Sequence, residues 1–323
     1  MSGATVTGPP AEVVGEGTPV EEGVVIDVAP LEEPFTFATG WLPDWPDVRD
    51  YVPDHPEIGP LLETLHMAEP AEPAALPSSI DLRPWCSPIE NQLNLGSCTA
   101  NAGVGTLEYF ERRAFGRHVD ASRLFLYKVT RDLLEWQGDT GAFLRTTMGA
   151  LALFGVPPEH YWKYDPTKFD VEPSAFLYAF GQNFQAIKYF RLDPPGTTPT
   201  GLLARIKTNL AGYIPAMFGF TVYASISQAG QTGAIPFPAV GEAVRGGHAV
   251  VAVGYDDAKV IKNVPNGPQT TGAFVIRNSW GPGWGDRGYG WLPYEYVLRR
   301  QAVDWWSLLS AEWVATDQFG LPL

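Results

Sequence analysis

The sequence predicts an α+β fold, and three observations carry that expectation. Helical periodicity dominates up to about residue 165. Runs rich in β-branched and aromatic residues, bounded by Gly and Pro, dominate after about residue 180. Apolar residues make up 45% of the 323-residue chain and aromatics 13%, enough for one large core or two medium ones. No run of 18 apolar residues is present, so no transmembrane helix is expected. The N-terminal stretch lacks the basic and apolar regions of a Sec signal peptide. A cytoplasmic location follows as an expectation, with non-classical export left open.

Residues 1–34 contain no aromatic residue and many Glu, Gly and Pro, a composition that reads as a disordered acidic leader. Residues 35–78 differ: Phe35, Phe37, Trp41, Trp45 and Tyr51 are interleaved with Asp44, Asp47, Asp50 and prolines. The aromatics need a surface to pack on, while the prolines forbid a regular helix. Ile58 to Met67 fits one short helix, and residues 68–77 read as an extended Ala/Glu/Pro linker. Residues 1–78 hold 15 Asp/Glu against Arg49 alone, whereas residues 79–323 hold 21 of each sign. The body is therefore neutral, and no basic patch points to nucleic acid.

Small residues after Cys98, then Leu107, Tyr109 and Phe110, predict a helix from Cys98 to about Arg113. Leu124–Trp136 and Ala142–Phe154 are further helical patterns, the latter opened by the Gly138–Gly141 turn and stopped at Gly155–Pro158. Expected strands are Gln185–Phe190, Ile214–Phe220, Ala249–Tyr255, Ala273–Asn278 and Tyr289–Leu292, with a helix over Gly201–Leu210.

Cys98 stands at or just before a helix start, where free N–H groups and the helix dipole favour a thiolate. Gln92, six residues upstream, is a neutral donor within reach of the same space. Gly246 and Gly247 precede His248 at a strand start, and Asn278-Ser279-Trp280-Gly281 ends another strand. Each residue has a structural alternative: a packed thiol, a core histidine, a strand-end cap, a loop glutamine, a core tryptophan. The order Cys, His, Asn, with glycines flanking the histidine, makes the chain from Ile80 onward resemble the papain-like (C1) cysteine peptidases. His248 follows Cys98 by 150 residues and Asn278 follows it by 180. Ile80-Asp81-Leu82-Arg83 resembles the start of the mature enzymes.

The resemblance implies a two-lobe fold over residues 79–323. A helical lobe (about 79–180) with a central nucleophile helix would face an antiparallel, barrel-like sheet lobe (about 181–323). It implies Cys98 as nucleophile in an ion pair with protonated His248, Asn278 as the group orienting His248, and Trp280 as the cover of that bond. Gln92 and the Cys98 backbone N–H would form the oxyanion hole. Gly138, Gly141, Gly247 and Trp280 become candidate substrate-binding positions, although the first two equally suit a helix-opening turn. Neither cofactor nor metal is expected, since His55, His66, His118 and His160 lack ligand spacing.

Family members usually carry a cysteine three residues before the nucleophile; here it is Leu95, as in a disulfide-free bacterial-type branch. Cys86 is expected to pack as a small hydrophobe. Thr99 and Leu93 replace the usual tryptophan and glycine, so substrate preference is not transferable. About fourteen extra residues near Asp256–Thr271 read as a longer hairpin loop. The expected activity is peptide-bond hydrolysis through a thioester, acting on proteins or peptides as a monomer, with residues 35–78 as an intramolecular inhibitory prosegment. A transpeptidase or amide acyltransferase, or a non-catalytic binding protein on this fold, are the alternatives.

Overall fold

The computed structural model describes residues 37–64, 76–183 and 188–309. The chain divides after Pro34, and everything described here belongs to Phe35–Leu323. The leader expected over 1–34 and the linker over 68–75 lie outside the described residues.

In chain order the elements are α1 (Gly59–Thr64), β1 (Ser79–Asp81), α2 (Cys98–Phe115), α3 (Arg123–Leu133), α4 (Leu144–Phe154), α5 (Ala175–Gly181), β2 (Tyr189–Arg191), α6 (Pro199–Ala211), β3 (Ala216–Tyr223), β4 (Val244–Lys262), β5 (Gln269–Arg277), β6 (Tyr289–Pro293), α7 (Glu295–Leu298) and β7 (Ala302–Leu308). Helices dominate the first half of the chain and strands the second, as predicted, and the fold is α+β.

Residues Cys98–Phe110 of α2 are all buried, so this helix is a central rod rather than a surface one. It stops at Gly116, whose left-handed conformation turns its N–H back to Arg112 O. Ser122 caps α3 by accepting from Phe125 N, and Thr198 caps α6 by accepting from Gly201 N, with Pro199 in the first turn.

The sheet is antiparallel throughout, in the order β2-β7-β3-β4-β5-β6, with β1 added to β4. The long central β4 pairs with β3 along its first half and with β5 along its second. That register puts His248 opposite Phe220 on β3, and Val251 opposite Arg277 at the end of β5. Helical and sheet halves meet where Arg277 crosses Gly105 of α2. A Cβ at Gly105 would sit 2.7 Å from Arg277 Nε, so only glycine leaves room. Arg277 then donates to Ser87 O at 2.5 Å and to Pro88 O at 2.7 Å, tying the stretch before the nucleophile to the sheet.

Several expectations need correcting. The extra residues at Asp256–Thr271 are mostly hairpin, not loop: Val260–Lys262 pair with Gln269–Thr271 beyond a bulge. β1 starts the body but belongs to the sheet. β7 and α5 were not anticipated. β7 evades the alternation rule because Asp304, at φ +63°, interrupts it.

Candidate active site

The nucleophile end of α2 is fixed by a polar net. Gly96 N donates to both oxygens of Asp139, at 2.9 and 3.1 Å, and Tyr127 Oη donates to the same carboxylate. The Tyr127 hydroxyl in turn accepts from Gly141 N at 3.1 Å. Asp139 and Tyr127 were missed at the sequence level, although Asp139 lies inside the glycine turn that was singled out. Ser97 Oγ shares a 2.6 Å hydrogen bond with Tyr164 Oη, which donates to Gln92 O.

Gln92 is fully buried. Its Oε1 accepts from Ser279 Oγ at 2.6 Å, which fixes the amide orientation and leaves Nε2 as donor. One Nε2 contact goes to Leu95 O at 2.9 Å and the other to Ala38 O at 3.2 Å. His248 Nε2 lies 2.7 Å from Asn278 Oδ1, which also accepts from Ser279 N at 2.8 Å. Asn278 Oδ1 is therefore an acceptor on both sides, and Nε2 must carry the imidazole proton. Nδ1 is left as the basic nitrogen; it is buried and has no hydrogen-bond partner. Trp280 stacks on the imidazole with centroids 4.4 Å apart, and Trp284 meets Trp280 edge-on. Gln92, His248 and Asn278 thus stand in one place, with Ser279 as the link between Gln92 and Asn278.

Phe37 to Leu42 run over these residues. Phe37 stacks on Trp280 at 4.7 Å, and Ala38 O accepts from Trp280 Nε1 at 3.2 Å as well as from Gln92. The N–H groups of Gly40 and Trp41 both donate to Gly247 O at 3.1 Å. Ala142 N donates to Gly40 O at 2.9 Å, and Leu42 N donates to Ala142 O at 3.1 Å, a parallel pairing centred on Trp41. The N–H groups of Ala249 and Gly40 lie against the Cys98 sulfur.

Gly141 and Gly247 both stand against the covering segment. A Cβ on Gly141 would lie 2.1 Å from Gly40 O, and one on Gly247 would lie 2.5 Å from Trp41 O. Gly138 does not belong with them. Its N–H donates to Asp170, nothing stands near its missing Cβ, and its φ of +82° explains the glycine as a turn requirement.

Complete burial pushes the Cys98 thiol up to about 12, against the opposing N–H groups of Ala249, Gly40 and Thr99. Burial also pushes His248 down to about 4, against Asn278, which favours the charged ring. The thiolate–imidazolium pair that the resemblance implies is replaced here by a neutral thiol and a neutral imidazole, because neither charge meets water. Cys86 and Cys98 are both free, and Cys86 packs as a small buried thiol near Leu82 O. Among the described residues no group of three or more His, Cys, Asp or Glu is arranged to hold a metal.

The sequence profile of papain family cysteine proteases matches residues 76–297. An uncharacterised peptidase C1-like protein of Acanthamoeba polyphaga mimivirus is 32% identical over 280 residues, 83% of this chain and 86% of that protein. Xylellain, a cysteine protease from Xylella fastidiosa, superposes with a TM-score of 0.66 at 31% identity, covering 88% of this chain and 100% of that one. Digestive procathepsin L 3 of the Tenebrio molitor larval midgut shares the fold, with a TM-score of 0.55 at 19% identity over 75% of this chain and 72% of that one.

Proposed function

The chain belongs to the papain family of cysteine proteases, and from that premise we propose that it is a peptidase held latent by its own residues 37–42. It is a cysteine peptidase, a hydrolase whose substrates are proteins or peptides. The observation that carries the latency reading is the covering segment itself: Ala38 O takes the Gln92 Nε2 donor at 3.2 Å, and the Gly40 and Trp41 N–H groups tie the segment to Gly247 O beside His248.

The geometry supports the following residue roles. Cys98 gives its proton to His248 Nδ1, and the thiolate sulfur attacks the peptide carbonyl carbon. The resulting oxyanion is held by Gln92 Nε2 and the Cys98 backbone N–H. Removing one such donor costs about 3–4 kcal/mol in barrier. The imidazolium then protonates the leaving amine nitrogen, the C–N bond breaks, and a thioester remains. Nδ1 next takes a proton from water, the hydroxyl adds to the thioester carbon, and the acid leaves as Cys98 recovers its proton. Asn278 holds Nε2–H throughout, so Nδ1 alone exchanges protons.

Direction supports latency too. The leaving amine departs on the His248–Trp280 side, so the acyl half of a substrate lies toward Ala142. Here Ala38 is at Trp280 and Leu42 at Ala142, so the segment runs opposite to a productive substrate. Its anchor is charged. Arg145 of α4 pairs with Asp44 and Asp50, and Arg191 of β2 faces Asp50 at 3.7 Å. The sequence named no basic dock; these two arginines supply it.

The test compares the full chain with a form starting near Ser78. Latency requires faster peptide hydrolysis and faster Cys98 alkylation in the short form. Equal alkylation in a folded short form refutes it.

A further inference from the structure

Trp41 is only 5% exposed, although it lies in a segment expected to leave. Its indole rests on two glycines. A Cβ on Gly219 would lie 1.8 Å from Trp41 Cε2, and one on Gly247 would lie 2.8 Å from Cε3. Gly219 sits inside β3 between Phe218 and Phe220, where a glycine weakens a strand unless something must approach closely. The flat ring of Trp41 is what approaches.

The indole N–H donates to Asp304 Oδ2 at 3.0 Å. Asp304 is fully buried, at φ +63°, in the left-handed region that costs a non-glycine residue energy. Asp193 holds it there, its carboxylate accepting from Asp304 N at 2.8 Å and from Trp305 N at 3.0 Å. The other Asp304 oxygen is engaged by Trp306 Nε1 at 2.7 Å and by Arg191 at 3.2 Å. Oδ2 is thus aimed into the space that the indole fills, while Arg191 also pairs with Asp193 at 2.9 Å.

We propose that Gly219, Gly247 and Asp304 form a substrate side-chain pocket selective for tryptophan at the peptide residue lying opposite Ala142. This rests on the reading that peptides bind in the cleft over Cys98. A substrate strand that uses Ala142 N–H and C=O, as Gly40 and Leu42 do, presents one residue beside that pocket. The glycine walls admit a wide flat ring. The buried Oδ2 requires a donor at the ring edge, which Leu and Phe lack. The slot between Gly219 and Gly247 suits a wide flat ring rather than a flexible cationic chain, so Trp is preferred to Arg or Lys. A site built to bond a donor rejects analogues without it far more strongly than a merely apolar slot does.

The test uses the full chain carrying Trp41→Ala, which vacates the pocket. Rate constants for Cys98 alkylation are measured with peptidyl epoxides that differ only in the residue opposite Ala142: Trp, Phe, Leu or Arg. The Trp reagent is expected to exceed Phe and Leu by about tenfold or more, and to exceed Arg. Adding Gly219→Ala should reverse the order, putting Leu ahead of Trp. A Trp reagent no faster than Leu, or slower than Arg, overturns the proposal, as does a Trp preference that survives Gly219→Ala. If the double variant does not fold, the ranking in Trp41→Ala decides by itself. Iodoacetamide separates the two readings. If Trp41→Ala does not speed its reaction with Cys98, latency fails. If it does while Trp shows no preference, only the pocket assignment fails.

Discussion

Replacing Arg145 with alanine tests the anchor of the covering segment. The guanidinium bonds Asp44, bonds both oxygens of Asp50 at 2.7 and 2.8 Å, and reaches Trp45 O at 2.6 Å. The Arg145 side chain is 24% exposed and that of Asp50 5% exposed, so the pair is neither a solvent-screened surface contact nor a fully buried one. Breaking a buried pair costs about 3–5 kcal/mol. Here Asp50 keeps Arg191 at 3.7 Å and Asp44 gains water, so about 2 kcal/mol of docking energy is the reasonable loss. At about 1.4 kcal/mol per tenfold, the uncovered population rises about 30-fold. The assay is the iodoacetamide rate at Cys98 in the full chain, with Arg145→Lys expected between parent and alanine because it keeps the charge but not the fork. A rate within about twofold of the parent in a folded Arg145→Ala chain refutes the anchoring role.

Three further outcomes are expected. Cys98→Ala and His248→Ala should each abolish peptide hydrolysis in the uncovered enzyme, while Asn278→Ala lowers turnover only in part, because orientation is lost and the proton path is not; steady-state kinetics at unchanged folding checks this. Gln92→Ala should cost about 10²–10³ in turnover with little change in KM, since its donor matters most at the oxyanion. His248 has a folded-state value pushed down to about 4 from 6.5. The unfolded chain therefore binds more protons between those values, and stability falls as pH drops from about 6.5 to 4, by up to about 2–3 kcal/mol. Denaturant titrations at both ends of that window should show this loss shrinking in His248→Ala.

Gln92, Cys98, His248 and Asn278 were legible because each is marked locally. Glycines flank the histidine, small residues follow the cysteine, and a strand runs into the asparagine. Gly138 stayed open between turn and cleft because a positive-φ glycine looks the same in sequence whether a turn or a close-passing backbone requires it. The arginine anchor was illegible for a different reason. Arg145 and Arg191 stand 46 residues apart, on a helix and an edge strand. They converge only after β2 pairs with β7 and sets Trp306 beside both guanidiniums. Asp304 was hidden by its own backbone, whose left-handed φ breaks the alternation that would have announced β7.

Covering the site also changes the nucleophile it covers. Hydrolysis and alkylation both begin at sulfur, and the thiolate is the reactive form. Under the segment the thiol is pushed up to about 12 and the imidazole down to about 4, so proton transfer from Cys98 to His248 runs uphill. A reagent small enough to pass Gly40 would still meet a thiol and an uncharged ring. Departure of residues 37–42 admits water to both groups. It also removes the Gly40 N–H from the sulfur and frees the Gln92 donor from Ala38 O. One movement therefore exposes the site, permits the ion pair and opens the oxyanion hole. The alkylation rate of the full chain should accordingly report the fraction of molecules with the segment displaced, rather than slow leakage of reagent into a closed site. The logarithm of that rate should then rise in proportion to the docking energy that substitutions at Arg145 and Trp41 remove, with the same slope for a bulky epoxide as for iodoacetamide. A reagent-size dependence that changes between parent and Arg145→Ala would show that leakage, not displacement, sets the rate.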